Sequence, residues 1–292
     1  MFSGSLVAMV TPMRPDGALD LQAWERLIEL HLSSGTRGLV VGGTTGESAT
    51  LSEAELWELT ERACAQARGH IPVIVGAGTS STAATVERAR RLCELPIDGL
   101  LLVTPAYNRP TQEGLYRHFA AVAAATRRPL ILYNVPSRTS VDMLPATVQR
   151  LSQLPGIVAV KEAVADVERI RELVAVCSHD FAVLSGDDAT ARSSILAGAR
   201  GLISVTANVA PRQVSSMAAA AMKGDAAEAG RLDAEVAALH RELFLEANPI
   251  PVKWALRRME LIQSGIRLPL TELSETYRPA VLAALRAAGI LN

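Results

Sequence analysis

The sequence predicts a (β/α)8 barrel, the TIM-barrel class of α/β fold. Three observations point there. Eight short apolar runs rich in Val, Leu and Ile occupy the chain as far as residue 205, and most lack the alternation of a half-solvated strand. Amphipathic stretches lie between them, and the runs recur about every 20 to 30 residues. At 292 residues the chain is long enough for such a barrel as one domain.

The candidate strands are SLVAMVT (5–11), GLVVGG (38–43), PVIVG (72–76), GLLLVT (99–104), LILYN (130–134), IVAVK (157–161), FAVLSG (181–186) and GLISV (201–205). A helix is expected over 21–34, where apolar residues recur at three- and four-residue intervals. The next, over 52–68, opens with SEAE, a capping box in which Ser52 caps and Glu55 reaches back. Further helices are expected over 80–94, 112–126, 166–177 and 187–197, with Asp187 and Asp188 capping the last or, as the alternative, standing at the pocket floor. An open doubly wound sheet is the competing arrangement. It would want a Gly-rich dinucleotide turn after the first strand, and TPMRPDG is not one. Residues 211–292 read as extra helices, one behind the prolines of NPIPVKWALRRM and a last one from AVLAALRAAG. No linker sets them apart, so a barrel over 1–210 and a helical extension over 211–292 are expected to form one structural unit.

A net charge of −1 gives no electrostatic reason to expect nucleic acid or an anionic membrane as partner. The N-terminal MFSGSLVAMVTPMRPDG does not read as a signal peptide, and no run approaches the ~18 apolar residues of a membrane helix. Cys64, Cys93 and Cys177 lie far apart, which suits reduced thiols in a cytoplasmic protein. The five histidines show no ligand spacing, so no metal is expected. GAGTSS (76–81) lacks the phosphate-loop lysine, and no cofactor is expected.

In a barrel of this kind chemistry collects at the C-terminal ends of the strands. GGTTGES follows the second run and brings Thr44, Thr45 and Glu47. TPAYNRP follows the fourth and brings Tyr107. LYNVPSRT ends the fifth and brings Tyr133 and Arg138. The sixth ends on Lys161, one of only three lysines against 26 arginines. An apolar barrel mouth disfavours the ammonium ion and so favours the neutral amine. A neutral amine attacks a keto acid to give an imine, an electron sink that yields an enamine. A nearby phenol can move the protons, polarised by a threonine hydroxyl, and Tyr133 and Thr44 are placed for that. The GTTG turn offers N–H groups to a carboxylate, and Arg138 offers a forked donor to a second one. Singly, each residue has a plainer reading: a solvated lysine, a core tyrosine, a surface ion-pair arginine, a flexible turn. Their convergence on one barrel face favours Schiff-base chemistry on a carboxylated substrate.

The segments GTTGESATL (43–51), VTPAYNRPTQEGLY (103–116), ILYNVPSRT (131–139), VKEA (160–163), LSGDDA (184–189), ISVTANVAPR (203–212) and NPIPVKWAL (248–256) resemble the dihydrodipicolinate synthase family, also called 4-hydroxy-tetrahydrodipicolinate synthases. The resemblance runs through the whole chain in order. It implies a barrel with a C-terminal helical extension and condensation of pyruvate with L-aspartate 4-semialdehyde on the diaminopimelate route to lysine. It implies that Lys161 forms the imine and that Tyr133 acts as acid and base in a relay with Thr44 and Tyr107. Tyr107 would reach a neighbouring subunit's site, making the enzyme at least a dimer and typically a tetramer. Thr45 would hold the pyruvate carboxylate, Arg138 the semialdehyde carboxylate, and backbone atoms of Gly186 and Ile203 would line the pocket. N-acetylneuraminate lyase and sugar-acid aldolases share the lysine and tyrosine. Arg138 and the double threonine separate this chain from them. A non-catalytic keto-acid-binding barrel is disfavoured because every chemical residue is present.

Two departures stand out against the family pattern. Gly42 replaces a β-branched residue before the turn, which is expected to loosen the packing behind it. The positions corresponding to the lysine feedback site of inhibited members are Glu53, Leu56, Ser80, Ala84 and Ala106, with only Ser48 and Ala49 unchanged. A bound lysine would leave its charges poorly paired there, so weak or absent inhibition by lysine is expected.

Overall fold

The computed structural model describes residues 2–292. Eight parallel strands close into a barrel in chain order: β1 (Gly4–Ala8), β2 (Leu39–Val41), β3 (Val73–Gly76), β4 (Gly99–Val103), β5 (Leu130–Asn134), β6 (Ile157–Glu162), β7 (Ala182–Ser185) and β8 (Gly201–Ser204). β8 returns to pair with β1, Leu6 lying opposite Ile203. Closure leaves no edge strand and puts every strand between two apolar layers, which is why the runs read as continuous rather than alternating.

The helices of the first half are α1 (Leu21–Ser33), α2 (Glu53–Ala67), α3 (Thr82–Leu92), α4 (Gln112–Ala125), the single turn α5 (Pro136–Thr139) and α6 (Pro145–Ser152). Those of the second half are α7 (Val167–Val176), α8 (Ala191–Leu196), α9 (Pro211–Met222), α10 (Ala226–Glu242), α11 (Ile250–Arg258) and α12 (Arg278–Ala287). The capping box forms as expected at α2: Glu55 N–H donates to Ser52 Oγ at 3.2 Å and Ser52 N–H to Glu55 Oε2 at 2.8 Å. Two orphan donors of the helix start are thereby satisfied. α9 follows β8 and packs on both β1 and β8.

Two apolar layers hold the fold. The inner one fills the barrel with Leu6, Val40, Ile74, Leu101, Ile131 and Leu184 among others, contributed in turn by successive strands. The outer one lies between strands and helices and contains Trp24, Leu59, Phe119 and Val214. A residue pointing into the barrel therefore alternates with one pointing at the helices. On β5 and β6 the inward positions next to the mouth are Tyr133 and Lys161.

Three local findings differ from the sequence reading. α6 was not expected. Its Pro145 sits in the first turn, where the missing N–H costs nothing, and its buried face is short: Pro145, Thr147, Val148 and Leu151. Two turns give too short a period to stand out. Asp187 does not cap α8, whose N-cap is Thr190; it braces the preceding turn, accepting from Thr190 N–H at 2.9 Å and Oγ1 at 2.7 Å. Asp188 does not cap it either. It is 2% exposed and accepts from Val205 N–H at 2.9 Å, Thr206 N–H at 3.0 Å and the Ser204 hydroxyl, tying the end of β8 to the loop after β7. Gly42 does not loosen its surroundings either. Its φ is +61, and a Cβ there would collide with Leu56 Cδ1, so Leu56 already fills the space.

Candidate active site

The end of β6 places Lys161 at the barrel mouth with 5% of its surface exposed. Cross-strand register sets it directly beside Tyr133 of β5. Its Nζ lies over the Tyr133 ring, 4.3 Å from the centroid. Among the described residues no carboxylate forms an ion pair with this amine, whereas the other buried lysine, Lys253, pairs with Glu47. Lys161 is therefore a buried amine whose nearest partner is an aromatic face.

Gly186 makes the room. A Cβ at this position would lie 2.9 Å from Ala163 Cβ and 3.0 Å from Lys161 Cε, so any side chain would push the lysine stem off its path. Ile203 of β8 is 1% exposed and forms part of the inner apolar wall. A polar group at the mouth thus stands on a floor that offers no competing hydrogen bonds.

Thr44 opens a three-residue 3-10 turn, Thr44–Gly46, not a longer helix. It and Tyr133 line one cleft of about 350 Å³ together with Gly43, Gly78, Thr79 and Val103. Lys161 does not line that cleft and adjoins it through the Tyr133 ring. A larger opening of about 880 Å³ lies between α1 and α2, walled by Glu25, Glu29, Arg26, Arg62 and amides. It lies on the outer helical layer, away from the strand ends where barrel chemistry is found.

Thr45 is 2% exposed, and its Oγ1 accepts from Asn248 Nδ2 at 2.9 Å. Arg138, on the exposed turn α5, donates from Nη2 to the Asn248 carbonyl at 2.9 Å. Asn248 therefore joins the GTTG turn to the Arg138 turn, and its Oδ1 is buried without a protein partner. Sequence reasoning missed this residue, although NPIPVKWAL was itself noticed as a motif. Asparagine ahead of two prolines in a loop was the available signal.

Behind the 3-10 turn, Glu47 adopts a left-handed conformation with φ 56. Its side chain accepts from Lys253 Nζ and, at 3.1 Å, from Arg267 N–H. Burial pushes the Lys253 ammonium below its ordinary value, and the Glu47 carboxylate pulls it back.

Tyr107 stands apart from all of these. It is 96% exposed, on the loop after β4, with φ +72. Asn108 anchors that loop by donating from Nδ2 to the Ser80 carbonyl at 2.8 Å. Within one chain the structure thus brings together Lys161, Tyr133 and Gly186, sets Thr44 across a shared cleft, and links Thr45 to Arg138 through Asn248. It leaves Tyr107 pointing away. Among the described residues no cluster of His, Cys, Asp and Glu could hold a metal ion, and no helix is long and apolar enough to cross a membrane.

The chain matches known proteins along essentially its whole length. The sequence profile described as the Dihydrodipicolinate synthetase family matches residues 1–288. The 4-hydroxy-tetrahydrodipicolinate synthase of Methylococcus capsulatus is 55% identical over 291 residues, covering 100% of both chains. Among solved structures, the chloride-inhibited dihydrodipicolinate synthase of Acinetobacter baumannii complexed with pyruvate superposes with a TM-score of 0.98 at 48% identity, covering 100% of both chains. A dihydrodipicolinate synthase variant described as monomeric superposes at 0.97 with 41% identity, covering 99% of this chain and 98% of its own. Matched by the profile from residue 1 to 288, and more than half identical to an end-to-end relative, the chain belongs to the dihydrodipicolinate synthetase family.

Proposed function

We propose that this chain is a lyase, a 4-hydroxy-tetrahydrodipicolinate synthase that condenses pyruvate with L-aspartate 4-semialdehyde. The observation that carries this reading is the buried, carboxylate-free amine of Lys161 lying 4.3 Å above the Tyr133 ring, in a chain of this family. Lys161 Nζ attacks the keto carbon of pyruvate and water leaves, giving an imine. Loss of a methyl proton gives the enamine, whose terminal carbon attacks the aldehyde. The substrate's own amine then closes the ring on the former keto carbon and releases Lys161. Tyr133 moves the protons, polarised by Thr44, with Tyr107 completing the relay. Thr45 and its turn hold the pyruvate carboxylate. Arg138, fixed at the mouth by Asn248, takes the semialdehyde carboxylate. Gly186 and Ile203 shape the wall. The chemistry needs no cofactor or metal, and the place for this biosynthetic step is the cytoplasm.

The exposure of Tyr107 supports an assembly of two or four chains in which this tyrosine enters a neighbour's site. A large aromatic ring held fully in water at positive φ has no stabilising role in its own chain. Sedimentation velocity at micromolar concentration should give a dimer or tetramer, and a monomer that retains full activity would count against it.

Feedback by lysine should be weak or absent. The cleft beside the GTTG turn is lined by Ser48, Ala49, Ser80 and Arg88. Arg88 Nε donates to Glu53 at 2.8 Å, so that carboxylate already has a cationic partner. A lysine ammonium would meet a guanidinium instead of an acid. A coupled assay with pyruvate and aspartate semialdehyde should show turnover that lysine leaves unchanged at intracellular concentrations. No turnover of the semialdehyde alongside cleavage of N-acetylneuraminate would replace this reading with the lyase alternative. Inhibition in the cellular range would overturn the insensitivity alone.

A further inference from the structure

Directly behind the Tyr133–Lys161 pair, on the outer face of the same two strands, sits a second pair. Asn134 follows Tyr133 and Glu162 follows Lys161, and the register sets Asn134 opposite Glu162. Both are buried, at 0% and 1% exposure. Asn134 Nδ2 donates to Glu162 Oε1 at 3.1 Å and Oε2 at 3.0 Å, and to Asp142 Oδ1 at 2.7 Å. Its Oδ1 accepts from Met143 N–H at 2.9 Å. Glu162 Oε1 also accepts from Val164 N–H at 2.9 Å. On the backbone, Ala163 N–H donates to Asn134 O at 3.0 Å and Gly186 N–H to Glu162 O at 2.6 Å. The ends of β5, β6 and β7 are thus bolted together one residue beyond the reacting side chains.

We infer that Glu162 is a positioning residue, whose carboxylate, clamped by Asn134, sets the angle at which Lys161 meets Tyr133. This rests on the reading of those two as the reacting pair. A misplacement of about 1 Å between reacting groups can cost on the order of a hundredfold in rate. The polar neighbours of the carboxylate are donors on nearly every side. Arg169 of α7 approaches Oε2 at 3.6 Å while donating to both oxygens of Asp142 at 3.0 and 2.8 Å. Of the other packed elements, β5 presents Asn134 and β7 presents Ser185, neither charged. Asp142 is the one acid facing it, and Glu172 acts on Arg169 from the same helix. Lys161 points to the opposite face of the strand. A proton on either Glu162 oxygen would face N–H groups and break the clamp.

The same carboxylate pays for its burial. Loss of water pushes the Glu162 carboxyl up to about 7, against the pull of Val164 N–H, Asn134 and Arg169 and with a further push from Asp142. The clamp is therefore intact above that pH and opens as the pH falls through it.

The test is Glu162→Gln, which keeps the shape but turns an NH2 toward donors. The expected result is a kcat about tenfold lower with KM for pyruvate within about twofold, and loss of an acid limb near pH 7 from the kcat profile. Wild-type kcat and profile in the single variant would overturn the proposal. If Glu162→Gln does not fold, Glu162→Asp withdraws the carboxylate by one methylene: reduced kcat at constant KM supports the clamp, and unchanged kcat overturns it. Borohydride trapping of pyruvate on the wild-type protein is run beside these. Failure of the wild type to trap removes the underlying reading, whereas trapping with an indifferent Glu162 removes only this inference.

Discussion

Replacement of Lys161 by methionine is expected to lower synthase turnover by about a thousandfold or more, and to abolish borohydride trapping of pyruvate. Methionine is the informative substitution. The stem of Lys161 passes close to where a Gly186 side chain would stand, so the path is narrow and a straight chain of similar length fills it. Packing is preserved and only the amine is lost. Lys161→Arg places a guanidinium over the Tyr133 ring but cannot form the imine, so it should fail as completely. The two variants together separate nucleophilic chemistry from electrostatics. Trapping on the wild-type protein also chooses between the two buried lysines. Lys253 is held by Glu47 and is not free to attack a carbonyl, so the adduct should appear on the peptide containing Lys161 and not on the one containing Lys253. Undiminished product from either variant, or an adduct elsewhere, would remove Lys161 from the reaction.

How much of this was legible in the sequence depends on the physical range of each signal. All eight strands were readable, because a strand buried on both faces leaves a run of Val, Leu and Ile that needs no partner to be recognised. Their ends were not. The run 5–11 leaves the ladder after Ala8, and Thr11 instead donates to the Gly46 carbonyl at 2.7 Å, bracing the turn that carries Thr44 and Thr45. Lys161 and Tyr133 were legible because strand ends in a barrel gather at one face and lysine is rare in this chain. Asp188 read as a helix cap because its sequence neighbourhood fits one, yet its partners lie 16 to 18 residues away, at and just beyond the end of the next strand. Asn248 was opaque for the same reason: its contact with Thr45 spans 203 residues. Short-range chemistry was written locally, and the contacts that hold the site in shape were written between distant segments.

Lys253 shows the same long-range logic, and its replacement should have the largest effect on stability. The Lys253→Met variant is expected to lose about 3 to 5 kcal/mol, read as a lower urea midpoint, because it strands a buried carboxylate. Lys253 is 4% exposed, and its partner Glu47, 4% exposed with a side chain at 1%, would keep only the Arg267 N–H at 3.1 Å. Adding Glu47→Gln to Lys253→Met should recover a good part of the loss, since a neutral amide costs far less to bury than a lone charge. Catalysis should suffer too. Glu47 closes the 3-10 turn that carries Thr44 and Thr45, and the segment that supplies Lys253 also supplies Asn248 to Thr45 and Arg138. A rise in KM for pyruvate should therefore accompany the loss of stability. Lys253→Arg separates charge from shape. A forked guanidinium is larger than the ammonium it replaces, and overpacking a dry site costs about 1 to 3 kcal/mol even with charge conserved. If Lys253→Met shifted the midpoint by less than the equivalent of about 1 kcal/mol, the pair would be behaving as a solvated surface bridge, and the argument from burial would be wrong.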